Sequence, residues 1–301
     1  MESQTVDITQ ALLRSASVGA EVSLAERSRS TIYFKASEKT STPLVALASR
    51  VVTSADFAVQ EAILQCLLDC GLRDCTIRAE EDTPSIGQFS RRNGAATIFI
   101  DPIDGSLAYA MGCPGWREMA TAAGFDTELL EHASARTDRR LYGMALGALV
   151  AGPEIISVCV LPDLGITYHA SRGVAFRNGT RLNYVPTVRP LRVAIGRRLL
   201  DPNGMAASPF AAAGIDVRWF NGSSPGVLWY IFERECTGYA GLHCGFDIQL
   251  ASVVAQAAGL LVSDGSGRDF VLRLNETAES LVLASSLEER DRICSGMRRY
   301  K

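Results

Sequence analysis

Asp101-Pro102-Ile103-Asp104-Gly105-Ser106 follows the apolar run Ala95-Ala96-Thr97-Ile98-Phe99-Ile100, and the reading of the chain turns on this junction. A short β-branched and aromatic run predicts a buried strand, and Pro then Gly directly after it predict a turn. Two carboxylates therefore leave the strand end together, three residues apart. Pro102 fixes φ and stiffens the turn between them. Gly105 lets backbone pass close to a ligand, and Ser106 is suited to cap a helix whose exposed N–H groups would face an anion. Carboxylates bind hard cations such as Mg²⁺ and a helix start binds phosphate, so one loop offers both halves of a metal-assisted phosphate site. An acidic surface turn would look the same, so the reading needs further acids and a second glycine-rich turn elsewhere.

Working outward, 301 residues suffice for a large core, in one domain or two lobes. With 47% hydrophobic residues, 21% charged residues and a formal net charge of −3, neither sign dominates. Nothing predicts a nucleic-acid surface or a membrane-binding basic face. No apolar run approaches bilayer-spanning length, and Met1-Glu2-Ser3-Gln4 does not begin a signal peptide, so a cytoplasmic setting is expected. The eight cysteines form no C-x-x-C pair and only three histidines exist, which argues against a zinc site. Cys66 and Cys70, one helical turn apart in an apolar pattern, read as buried reduced thiols.

Upstream, Ile8, Leu12, Leu13, Val18 and Val22 predict an opening helix over 8–30. Residues 31–35 suit a strand or a helix end, and 36–43 read as a loop. Arg50-Val51-Val52-Thr53-Ser54-Ala55-Asp56 then places a cap-like start before an amphipathic helix ending at Gly71. Asp56 falls in its first turn, where favourable interaction with the helix dipole accounts for it without any ligand. Cys75-Thr76-Ile77-Arg78 reads as a strand delivering Glu80 and Glu81. If that strand lies beside the next, Glu80, Asp101 and Asp104 share one sheet edge.

Downstream, the charge-rich segment 115–142 reads as a surface insertion. Residues 144–150 and 155–160 suggest a hairpin, and 165–170 with 174–176 continue a meander into the tight turn Asn178-Gly179. The prolines of 186–190 suggest a lobe boundary. Short strands at 193–195 and 217–220 lead to Asn221-Gly222-Ser223-Ser224-Pro225-Gly226, a small-residue turn opening a helix. Such a turn holds a ligand or simply packs closely. Gly245-Phe246-Asp247 introduces the clearest helix, with Ile248, Ala251, Val254, Ala255 and Ala258 on one face and Gly259 closing it. Asp247 either caps that helix or binds a ligand there.

Together these pieces resemble the inositol monophosphatase family of Mg²⁺-dependent, lithium-sensitive sugar phosphatases. Val51-Val52-Thr53-Ser54-Ala55-Asp56 is similar to its V-T-x-x-D helix start. Glu80-Glu81 with Asp101-Pro102-Ile103-Asp104-Gly105-Ser106 is similar to its E-E and D-P-[IL]-D-G-[TS] pair. Phe246-Asp247 through Ala257-Ala258-Gly259 is similar to its W-D-x-A to E-A-G-G segment. Weaker echoes are Gly173 to Gly179 and Gly222-Ser223, and the matches run in order from about residue 50 to 267.

The resemblance implies a mixed α/β (α+β) layered α/β/α/β/α fold with two sheets. An N-terminal lobe at 1–185 would carry the carboxylates, and a C-terminal lobe at 186–301 would complete the site. It implies Mg²⁺ as cofactor, held by Glu80, Asp101, Asp104, Asp247 and the Ile103 carbonyl. Glu80 would hold the attacking water, with Ser106 and Asp56 orienting it or relaying its proton. Asp104, Gly105, Ser106, Gly222, Ser223 and Asp247 would contact the phosphate or substrate. The implied activity is hydrolysis of a phosphate monoester of a small polyol or sugar by a homodimer, with no nucleic-acid or membrane partner. Alternatives on the same fold are a fructose-1,6-bisphosphatase, a 3′-phosphate nucleotidase, or a silent metal- or phosphosugar-binding regulator.

The chain departs from the family pattern in several places. Leu107-Ala108-Tyr109 replaces T-N-F, Phe246 replaces Trp, and Arg50 replaces an Asp before V-T. Ala240 falls about where inositol phosphatases carry a substrate-binding acid.

Overall fold

The computed structural model describes residues 7–35, 43–90, 94, 96–136, 138–150, 154–186, 190–196, 199, 208–219 and 222–298. The expected loop at 36–42, the 151–153 hairpin turn, 187–189 of the proline-flanked stretch and the 220–221 junction lie outside them.

The chain opens with α1 (Ile8–Glu26), whose start is fixed by the Asp7 carboxylate accepting from Thr9 N and Gln10 N. β1 (Ile32–Phe34) pairs antiparallel with β2 (Val51–Thr53), and α2 (Pro43–Arg50) lies between them in sequence. This small third sheet and α2 are additions to the expected two-sheet plan. α3 (Ser54–Asp69) starts at the Thr53/Asp56 capping pair and packs with α1 on one face of the large sheet.

The large sheet takes β3 (Thr76–Ala79), β4 (Ala96–Asp104), β5 (Gly143–Val150), β6 (Ile155–Leu161), β7 (Ile166–Ser171), β8 (Val174–Arg177) and β9 (Thr180–Leu182) in chain order. Only β3 and β4 run parallel; every other neighbour is antiparallel. Between β4 and β5 the chain makes α4 (Ser106–Ala110), α5 (Trp116–Ala122) and α6 (Thr127–Arg136). The 115–142 segment is thus more than a surface insertion, because Ala120, Leu130, Ala133, Leu141 and Tyr142 are buried. Arg117, Glu118, Glu128 and Glu131 are exposed, and its apolar side joins the core.

The second sheet has the order β11-β10-β12-β14-β13. Its strands are β10 (Arg192–Ile195), β11 (Asp216–Trp219), β12 (Gly238–Cys244), β13 (Leu261–Ser263) and β14 (Ala278–Ala284). α7 (Ser208–Ala212) and α10 (Leu287–Arg298) cover its outer face, burying Phe210, Ile293 and Met297 against Val193, Ile195 and Val282. α8 (Ser224–Phe232) and α9 (Phe246–Ala257) fill the space between the sheets. Leu228, Ile231, Ala251 and Ala255 meet Cys159 and Tyr168 on one side and Leu281 and Leu283 on the other. The order of layers is therefore α/β/α/β/α. Helix α9 approaches the large sheet closely because Gly147 has no Cβ; one built there would overlap Leu250. That approach brings the start of α9, and with it Asp247, to the edge where β4 ends.

Cys66 and Cys70 form no disulfide; Cys66 is buried, while Cys70 is only partly so. Among the described residues, no helix is long and apolar enough to cross a membrane.

Candidate active site

The strand predicted to stop at Ile100 continues as β4 through Asp104. Its pairing with β5 shifts register between Asp101, opposite Ala145, and Asp104, opposite Gly143. Pro102 has no N–H to give the ladder, so the chain bulges there instead of turning away. The bulge re-aims both carboxylates while leaving them on a rigid element. Gly105 makes the turn that follows. It holds the N-cap of α4 at φ 87°, a conformation that penalises any Cβ, so Ser106 is the first helical residue and not the cap.

Beside this corner β3 runs parallel to β4 with Ala79 opposite Ile100, and Glu80 N donates to Ile100 O at 3.1 Å. Glu80 therefore leaves the sheet next to Asp101. The adjoining loop is fixed from behind by buried Gln60. Its Nε2 donates to Glu81 O (2.6 Å) and Thr83 Oγ1 (2.8 Å), and its Oε1 accepts from Glu81 N (3.1 Å). Glu81 is itself buried and paired with Lys35 at 3.1 Å, whereas Glu80 stands 4.0 Å from that ammonium with 41% of its side chain exposed. The adjacent acids divide the work: Glu81 anchors Lys35 and Glu80 faces the opening.

From the other side α8 and α9 close on the same point. Ser224, the first residue of α8, donates its backbone N–H to Asp104 Oδ2 (2.5 Å) and its hydroxyl to Asp247 Oδ2 (2.7 Å). Single oxygens of Asp101, Asp104 and Asp247 lie within 4.8 Å of one another. Gly105 and Gly222 touch through backbone: a Cβ on Gly105 would fall 3.1 Å from Gly222 C and 3.2 Å from Ser223 N. Ser223 borders the cavity, but its buried hydroxyl faces inward, donating to Leu141 O (2.7 Å) and accepting from Gly226 N (3.0 Å). Only its backbone is left for a ligand.

Asp56 lies behind Ser106 and does not line the cavity. Its Oδ2 accepts from Thr53 N and Thr53 Oγ1, both at 2.7 Å, and its Oδ1 accepts from Ser106 Oγ at 3.1 Å. The same Ser106 hydroxyl lies 3.0 Å from Ile103 O. One side chain thus links a buried carboxylate to the backbone carbonyl at the centre of the loop.

These elements surround a cavity of about 440 Å³. Lys35, Gly196, Tyr239, His243, Phe246 and Thr277 complete its wall. Tyr239, not Ala240, faces it, since side chains alternate along β12 and Ala240 turns into the core. The altered 107–109 stretch has a structural reason. Tyr109 is fully buried and donates its hydroxyl to Ser23 O (2.8 Å), fastening α4 to α1. Arg50 likewise lies over the Phe125 ring (4.8 Å) and donates Nε to Lys35 O (2.9 Å), tying β1 to the 115–142 segment.

Burial and like charge dominate the electrostatics. Desolvation, then Glu80, Asp104 and Asp247, pushes Asp101 well above its ordinary value. Desolvation and Asp247 do the same to Asp104 against the opposing Ser224 bonds. Desolvation also raises Glu80, although an Asp101 hydrogen bond and Lys35 pull the other way. Asp56 is lifted from 3.8 to about 7, chiefly by burial. Asp101 Oδ1 is buried without a hydrogen-bond partner. An all-oxygen set of clustered acids with an orphaned buried oxygen fits a hard divalent cation such as Mg²⁺.

A pH dependence follows. Folded-state values above the unfolded ones mean that the unfolded chain loses these protons first. Stability without metal therefore falls as pH rises from about 4 to beyond 7, opposite to a salt-bridged carboxylate. In EDTA the Tm at pH 8 should lie roughly 5 °C or more below that at pH 5.5, and Mg²⁺ should narrow the gap. Thermal melts at both pH values check this; a Tm in EDTA that rises with pH contradicts it.

The sequence pattern of the inositol monophosphatase family matches residues 6–299. No curated protein matches the chain. Among solved structures, the extragenic suppressor protein suhB of Bartonella henselae aligns with a TM-score of 0.68 at 14% identity, covering 96% of this chain and 98% of that one. The Thermotoga maritima IMPase aligns at 0.63 and 17% identity, covering 97% of each chain. An IMPase/NADP phosphatase solved with NADP and Ca²⁺ aligns at 0.66 and 13%, covering 97% of this chain and 96% of that one.

Proposed function

The chain belongs to the inositol monophosphatase family, and we propose that it hydrolyses a phosphate monoester of a small polyol, sugar or nucleotide with the help of Mg²⁺. The observation that carries the reading is the cluster of Asp101, Asp104 and Asp247, with its unpartnered buried oxygen, in a cavity of about 440 Å³. That volume is in the range of small-molecule sites. Glu80, Asp101, Asp104, Asp247 and the Ile103 carbonyl would hold the cations. When bound, the metal supplies charge neutralisation for the phosphate and acidifies the attacking water.

This chain's own residues do the rest. Glu80, open to the cavity on one side, holds and orients the attacking water. Ser106 lies between Asp56 Oδ1 and Ile103 O, and its hydroxyl relays the water's proton to Asp56, a carboxylate poised near neutrality. The backbone of Gly105 and Ser106 receives the phosphate, with Gly222 and Ser223 bordering it through main-chain atoms. Side chains at 105 would fill that space. Lithium sensitivity and a homodimer are family expectations within the same proposal, and a cytoplasmic setting is carried into it from the sequence reading.

The test is phosphate release from inositol phosphates, sugar mono- and bisphosphates and nucleoside 3′,5′-bisphosphates, with and without Mg²⁺. We expect turnover of at least one compound that disappears in EDTA. Turnover unaffected by EDTA, or none across the panel with Mg²⁺ bound, would contradict it.

A further inference from the structure

Ser224 is built into the cluster from outside the loops that carry the acids. Helix α8 does not need its hydroxyl: Ser223 is the N-cap and accepts from Gly226 N. Pro225, the next residue, has no N–H. The Ser224 hydroxyl instead donates to Asp247 Oδ2, and its N–H, at the positive end of a nine-residue helix, donates to Asp104 Oδ2. One residue thus holds one oxygen on each of two carboxylates that come from different parts of the chain. These two carboxylates belong to the group whose oxygens lie within 4.8 Å of each other.

We propose that Ser224 is a positioning residue for cation selectivity, pinning Oδ2 of Asp104 and Asp247 so that each presents a single oxygen and the site favours Mg²⁺ over Ca²⁺. The inference rests on the metal reading of the preceding section. Mg²⁺ demands near-octahedral geometry from few, well-placed oxygens, whereas Ca²⁺ accepts more ligands and two-oxygen carboxylate contacts. A carboxylate whose second oxygen is tied to a helix start is a one-oxygen ligand. Released from that tie, it rotates and offers both, which serves the larger ion and not the smaller. Hydrogen bonds to metal-bound carboxylates commonly change metal affinity by 10–100-fold, so the effect is measurable.

Calorimetric titration of the substrate-free protein with Mg²⁺ and with Ca²⁺ tests this in wild type, Ser224→Ala and Ser224→Thr. Ser224→Ala keeps the N–H bond to Asp104 and loses the hydroxyl. It should bind Mg²⁺ about tenfold or more weakly while Ca²⁺ changes by less than about threefold, and Ser224→Thr should keep the wild-type ratio. A merely structural role would weaken both ions alike. Equal loss for the two cations, or no change for either, overturns the proposal. Should Ser224→Ala fail to fold, Ser224→Cys, similar in size with a weaker donor, carries the same comparison. Wild-type protein that binds neither cation overturns the metal reading itself and this inference with it, which separates the two failures.

Discussion

Asp101→Asn should lower phosphate release by about 10³-fold or more while leaving the protein folded, because removing a charged metal ligand removes several kcal/mol of transition-state stabilisation. Asp101 lies on β4 with its neighbours paired to β5, so the amide occupies the same space with no change in the core. Burial, Glu80, Asp104 and Asp247 already hold its carboxyl well above the ordinary range. Neutralising it relieves like-charge crowding, and the Tm in EDTA at pH 8 should stay level or rise. The variant's Tm should respond to Mg²⁺ less than that of wild type. Activity, Tm in EDTA and Tm in Mg²⁺ are the three readings. Turnover within tenfold of wild type would remove Asp101 from the mechanism.

Ser106→Ala and Asp56→Asn should each cost about 10²-fold in kcat, and the double variant little more than the worse single one. The reason is geometric. Ser106 touches both Asp56 and Ile103 O, whereas Asp56 reaches the cavity only through Ser106. Removing either member breaks the same relay, so the energies do not add. Additive losses would mean that the two act separately, and Asp56 would then be no more than the capping carboxylate of α3 that its Thr53 bonds already make it.

Helix position and the family resemblance point Asp56 to different roles. Position in the first helical turn accounts for it as a capping acid, the resemblance implies the relay, and the 3.1 Å contact from Ser106, fifty residues on, is the geometry that supports the proposed relay. Local patterns carried well. The strand before Asp101, the helix after Asp247 and the Asn178-Gly179 turn are set by short-range chemistry. The extension of β4 through Pro102 was hidden, because a bulge depends on the partner strand β5. β12, which carries Gly238 and Gly241, gains its order from pairing with β10 and β14. Ser224 lies in a stretch that sequence alone marks as a small-residue turn opening a helix, one that holds a ligand or packs closely; its partners are 120 and 23 residues away. Ala240 drew attention through the resemblance, but the alternation of β12 hands the cavity wall to Tyr239.

The central claim is that Asp101, Asp104 and Asp247 form a divalent-cation site. A crystal grown with Mn²⁺ in place of Mg²⁺, measured for anomalous scattering, addresses it without substrate or turnover. The claim predicts a peak about 2–2.5 Å from carboxylate oxygens of these three residues, with Glu80 and the Ile103 carbonyl at or near the same centre. Well-ordered carboxylates with no anomalous peak among them, at a Mn²⁺ concentration that occupies any other site, would contradict it.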